Sequence, residues 1–212
     1  MKRRDVVRFF FLVVTAAAAS ASFAGAELRV MVHNSFALPK PMLAQFEAQT
    51  GVKLALIKGG DAGEMLNKLI LTRAQPVADV VFGIDNTLQA KAQSAGVLEG
   101  PLQPVDYGYV TLNMDKAAWA KRGTALPKTL ADLTLPAYKG ALVAIHPATS
   151  STGYAFLLAT IAGLGEEQAF AWWGQMRANG LKVAKGWSEA YYTEFTRGGG
   201  AHPLVVSYAT SP

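Results

Sequence analysis

Two α/β lobes are what this 212-residue sequence predicts, on three observations. Short apolar strands alternate with helical segments through residues 28–82, and the same alternation resumes at residue 141 after breaks at Pro101 and Pro104. The connections are short, which is the pattern of parallel sheets wrapped by crossover helices. No stretch repeats at a period of 20–50 residues, so a solenoid is excluded.

Leu28–Val32 reads as a first strand, and Met42, Leu43 and Phe46 then recur at helical spacing until Gly51 closes the helix. Val52–Ile57 reads as a second strand. Asp61 is placed to cap a helix whose Ala62, Met65, Leu66, Leu69 and Ile70 share one face. Asp79–Phe82 is a third strand, and Asp85 and Asn86 sit at its carboxyl end before a helix over Thr87–Ser94. Val105–Leu112 reads as one long strand. Beyond it, Pro127–Leu133 reads as a short helix capped by Thr129, Ala141–Ile145 as a buried strand, Tyr154–Ala162 and Glu166–Arg177 as helices, and Leu181–Ala184 and Pro203–Tyr208 as strands.

The first 26 residues predict a secretory signal peptide. Lys2, Arg3, Arg4 and Arg8 surround the start of an apolar run from Phe9 to Ala19, and small residues at Ser22–Ala26 follow. That run is shorter than the roughly 20 residues a membrane-spanning helix needs. The Arg3-Arg4 pair also fits a twin-arginine signal, so the export route stays open. Removing residues 1–26 takes away four cations and one anion and lowers the formal net charge from +5 to +2. A nearly neutral remainder gives no footprint for nucleic acid. With no cysteine, disulfides, thiolate metal sites and a cysteine nucleophile are excluded together.

Chemistry concentrates in three places. Thr149–Gly153 sets four hydroxyls at the start of a helix, either as a cap or as a cradle for negative charge. Asp61 either caps its own helix or faces a cleft. Trp187 opens a short helix and Tyr208 ends a strand, two flat side chains able to sandwich a small planar ligand with Thr210 and Ser211 at its edge.

Two strings, Lys185-Gly186-Trp187-Ser188-Glu189-Ala190-Tyr191 and Ser207-Tyr208-Ala209-Thr210-Ser211-Pro212, resemble those of the periplasmic thiamine-binding proteins of ABC importers. The resemblance runs from about Leu28 to the last residue and implies a type II periplasmic binding protein fold. It implies a first lobe over 27–106, a hinge strand over 107–112 and a second lobe over 113–212. It also implies thiamine or its phosphates as solute, bound by His33, Asp61, Ala62, Ser150, Ser151, Trp187, Tyr208, Ala209, Thr210 and Ser211. The implied partner is an inner-membrane permease, the implied location the periplasm, and no cofactor is called for. His33 stands where the family has Tyr, Ala62 where it has Gly, and Thr152 where it often has Pro. The family's chains continue past Pro212, so the resemblance also leads us to expect a C-terminally truncated fold with exposed apolar surface on the first lobe.

Three rivals are weighed. A thiaminase-like enzyme of related fold would need a cysteine, and no Gly-x-Ser-x-Gly elbow is present. The histidines His33, His146 and His202 lack metal-ligand spacing. A ferric-ion site would use paired tyrosines such as Tyr191-Tyr192, but adjacent helical side chains diverge. A polyamine-type binder, grouped with the ferric one, shares the implied fold without the Lys185–Tyr191 string. The third rival is a truncated fragment that binds nothing.

Overall fold

The computed structural model describes residues 26–211, so the expected signal segment lies, but for Ala26, outside the described residues. The order is β1 (Glu27–Val32), α1 (Lys40–Thr50), β2 (Lys53–Lys58), α2 (Ala62–Leu71), β3 (Val80–Phe82), α3 (Gln89–Ser94), β4 (Val110–Met114), α4 (Lys116–Arg122), β5 (Leu142–Ile145), α5 (Ser151–Leu164), α6 (Glu166–Ala178), β6 (Lys182–Ala184), α7 (Trp187–Glu189) and β7 (Leu204–Tyr208). They form two sheets. One is parallel throughout in the order β2-β1-β3, and the other runs β4-β7-β5-β6, with β4 antiparallel to β7. No helix among the described residues is long and apolar enough to cross a membrane.

The second sheet is sealed on both faces, and alternation along its strands explains how. Leu142, Ala144, Leu204 and Val206 pack with Trp119, Phe156, Trp172 and Met176 on one side. Their neighbours Val143, Ile145 and Val205 face Ala190, Tyr191 and Phe195 on the other. The first sheet is covered less fully. Its core joins Met31 to Ala62, Met65 and Leu66 of α2 and to Leu88 and Ala92 near α3. Helix α1 ends as expected, with Gly51 at φ 70°. Its periodic apolar residues are not buried, however: Met42 is 54% and Phe46 40% exposed.

Several elements differ from the sequence reading. The long strand expected over 105–112 begins only at Val110. Its partner β7 has five residues, Val110 pairs with the last of them, and residues 101–109 carry no regular structure. The Thr129 cap is real, because its hydroxyl accepts the Asp132 N–H at 3.2 Å, yet the turn it starts is a 3₁₀ turn over Asp132–Thr134. Helix α4 escaped the periodicity argument, since it buries only Trp119. Its signal was Asp115, whose carboxylate accepts the N–H groups of Ala117 and Ala118. Asp85 is a local turn former, with one carboxylate oxygen taking the Thr87 and Leu88 N–H groups and the Thr87 hydroxyl.

Candidate functional site

Asp61 is the centre of the arrangement. It precedes α2 and is 3% exposed. Its expected capping role is shared out in an unexpected way. The carbonyl of Thr149, from the loop before α5, accepts the Gly63 and Glu64 N–H groups at 3.0 and 3.2 Å. Glu64 in turn accepts the Asp61 N–H at 3.2 Å. With those donors taken, one Asp61 carboxylate oxygen accepts the Trp187 N–H at 2.8 Å and the other meets His33 Nε2 at 2.8 Å. Of the sequence alternatives, the Asp61 carboxylate follows the second: it leaves the helix donors to Thr149 and bridges His33 and Trp187.

The His33 tautomer follows from its other nitrogen. Nδ1 accepts the Ser35 backbone N–H at 3.1 Å, so the ring hydrogen lies on Nε2 and is donated to Asp61. Burial opposes ionisation of Asp61, but hydrogen bonds from the His33 ring, the Trp187 N–H and the Ser150 hydroxyl outweigh it. The carboxyl is held below the usual aspartate range.

Trp187 meets this carboxylate through its backbone N–H. Its ring stacks on Tyr191 at 5.0 Å and 13°, and Tyr192 meets it edge-on at 5.3 Å. The turn that brings both tyrosines to one indole is a π turn over Ala190–Glu194, closed by the Phe195 N–H on the Ala190 carbonyl. The indole N–H donates to Ser207 Oγ at 2.8 Å, and Ser207 exchanges a 2.7 Å bond with Ser211. Tyr208 reaches across to Ser151, hydroxyl to hydroxyl at 3.4 Å, and burial pushes its phenol up, so that it keeps its proton. Ser150 bonds Thr152 at 2.8 Å, and both are buried.

Thus His33, Asp61, Ser150, Ser151, Trp187, Tyr208 and Ser211 converge from both ends of the chain. Ala62 does not line an opening, because it is fully buried against Met65 and Leu66. Ala209 and Thr210 are exposed in the turn after β7, held by the Ala209 N–H on the Tyr109 carbonyl. Sequence reasoning missed Ser207, which reads as an ordinary strand residue, and Glu64, whose carboxylate pairs with Lys185 at 3.0 Å. Tyr191 and Tyr192 do not form a paired ligand set: their rings lie at 83°, with one buried and the other exposed.

Chemically the site joins one ionised carboxylate, a stacked indole and a row of hydroxyls. That combination suits a small planar cation with an oxygen-bearing tail.

A thiamine-binding periplasmic protein of Salmonella typhimurium is 33% identical over 92% of this chain and 63% of its own length. One from Brucella abortus is 30% identical over 96% and 65%. A solved structure described as a periplasmic thiamin binding protein superposes with a TM-score of 0.73 at 31% identity, over 88% of this chain and 63% of that one. The chain therefore spans a little under two thirds of these relatives' length, and it shares the type II periplasmic binding protein fold expected from its sequence. Residues 75–212 match the family described as bacterial extracellular solute-binding protein, and the chain belongs to that family.

Proposed function

We propose that this chain binds thiamine between its two lobes as the extracytoplasmic component of an ABC importer, in the periplasm, and hands it to an inner-membrane permease. It is a carrier and not a catalyst. The observation that carries the reading is the buried, ionised Asp61 hydrogen-bonded to the backbone of Trp187. A fixed negative charge beside an indole suits a ligand with a permanent thiazolium charge and an aminopyrimidine to stack. Support comes from the names of the similar proteins.

In this reading Trp187 and Tyr208 flank the rings, while Ser150, Ser151 and Ser211 take the hydroxyethyl tail or its phosphates. Ala209 and Thr210 contribute from the β7 turn. His33 orients Asp61. The lobes are residues 27–106 and 113–212, the crossover is 107–112, and the segment 1–26 is removed on export. Closure around the solute is a shift in population toward the state with the better contacts.

Calorimetric titration of thiamine tests the reading. Trp187→Ala is expected to weaken binding by about 10- to 100-fold, the worth of stacking plus cation–π contact at roughly 1–3 kcal/mol. Binding unchanged in Trp187→Ala would refute the assignment of the ring. Thiamine monophosphate and diphosphate titrated in parallel rank the tail preferences.

A further inference from the structure

We infer that the second lobe carries a small-oxyanion site of its own behind the aromatic wall, built on the Tyr191 hydroxyl and the Arg197 guanidinium. Both side chains line a cavity of about 190 Å³, together with Asn113, Met114, Phe195 and Ser211. Tyr191 is 5% exposed, and its hydroxyl is the one buried side-chain polar atom among the described residues without a hydrogen-bond partner. Folded proteins satisfy nearly all such groups, because a buried donor left unpaired costs stability. A phenylalanine would give the same stack on Trp187 without that cost, so the stack alone does not account for a tyrosine here.

The other polar groups around the cavity are already engaged, which singles out these two. Asn113 Nδ2 donates to the Tyr208 and Ser211 carbonyls at 3.1 and 3.5 Å, and the Ser211 hydroxyl is bonded to Ser207 at 2.7 Å. Arg197 is exposed and takes part in no ion pair among the described residues. Its acidic neighbour, Asp115, is committed elsewhere: it accepts the Ala117 and Ala118 N–H groups of α4 and the Thr196 hydroxyl. An O–H donor and a guanidinium, with no carboxylate among the described residues that line the cavity, suit a phosphate, sulfate or carboxylate group. The cavity is set apart from the interlobe cleft. Tyr191 covers one face of the Trp187 ring, so a solute that stacks on the indole uses the other. Neither Tyr191 nor Arg197 belongs to the set of residues proposed to hold thiamine, so the two readings stand or fall separately.

Inorganic phosphate, titrated into the full chain at constant chloride, is the probe, with calorimetry and thermal unfolding as readouts. The parent is expected to bind phosphate at one site and to unfold at a higher temperature as phosphate is added. Arg197→Gln is expected to abolish that binding. Tyr191→Phe, which deletes a single buried oxygen and keeps the stack, is expected to weaken it about tenfold or more, the worth of a hydrogen bond to a charged group. In phosphate-free buffer Tyr191→Phe is expected to unfold at a higher temperature than the parent, since it no longer buries an unpaired hydroxyl. A variant no more stable than the parent means that water already satisfies the hydroxyl, and it overturns the inference. So does a parent that binds no phosphate, or binding that survives both substitutions, which puts the ion at the Ser150–Thr152 hydroxyls. Binding lost with Arg197 but indifferent to Tyr191 means an adventitious ion only and overturns it too. Saturating thiamine is expected to leave phosphate binding in place, and competition between the two overturns a separate site. Phosphate binding in a chain that takes up no thiamine keeps this site and removes the thiamine reading; thiamine binding without phosphate binding removes only this site.

Discussion

The two sheets solve the same burial problem to different degrees. In the second, β5 and most of β7 are buried and both faces carry a packed layer. In the first, β2 and β3 keep Leu56, Val80 and Phe82 exposed, and α1 buries nothing. The contrast teaches that in this chain an apolar pattern specifies an element without ensuring that something covers it. The first lobe does bury Asp61, and it does so by leaning on the second lobe.

The sharpest way to break this comparison is to remove packing from the sealed side. Phe195→Ala is expected to cost about 3–5 kcal/mol, since its ring is fully buried between the sheet and the π turn. All four tryptophans, Trp119, Trp172, Trp173 and Trp187, lie in the second lobe, so urea unfolding followed by fluorescence reads that lobe directly. A loss below about 1 kcal/mol would mean the second sheet is not the better sealed one.

A smaller effect is expected from acid on the first sheet. Arg29 holds Asp79 through a two-pronged side-chain pair at 2.6 and 3.1 Å and donates its backbone N–H to the same carboxylate, which keeps that carboxyl down at about 2. A depressed carboxylate contributes stability that is fully present above its unfolded value of 3.8 and lost as pH falls through about 2. Asp79→Asn is therefore expected to flatten the acid limb between those pH values in circular dichroism, with little change in tryptophan fluorescence. Identical acid curves for parent and variant would remove the pair as a tie between β1 and β3.

The smallest change is expected where apolar residues are already exposed. Met42→Ser and Phe46→Ser should each shift stability by no more than about 0.5 kcal/mol, the usual range for surface sites. A loss of about 2 kcal/mol or more would show that α1 is covered in solution.

Most strands and helices were legible because each carries a period of its own. What failed had a tertiary cause. Residues 105–109 alternate like a strand, yet β7 is too short to pair with them. Tyr107, 87% exposed, lies in that unpaired stretch. Helix α4 shows the opposite failure, a capped turn with almost nothing to bury. In the site, Trp187, Tyr208 and the Thr149–Thr152 hydroxyls stood out by residue type and place. The division of labour around Asp61 did not, because the carbonyl that relieves it of capping comes from a loop more than 80 positions away, and no local spacing encodes that.

The π turn after Trp187 bears on how the site tolerates insertions and deletions. In an α-helix each residue advances about 100°, so a side chain five positions on points about 140° away from the first. The wider turn restores the phase and lets Trp187 meet Tyr191 and Tyr192 together. Deleting one residue within Ala190–Glu194 would tighten the turn to α geometry and rotate Tyr192 off the indole, while the sheet beneath stayed whole. Helical phase, set by one additional residue, thus acts as a dial on the aromatic wall.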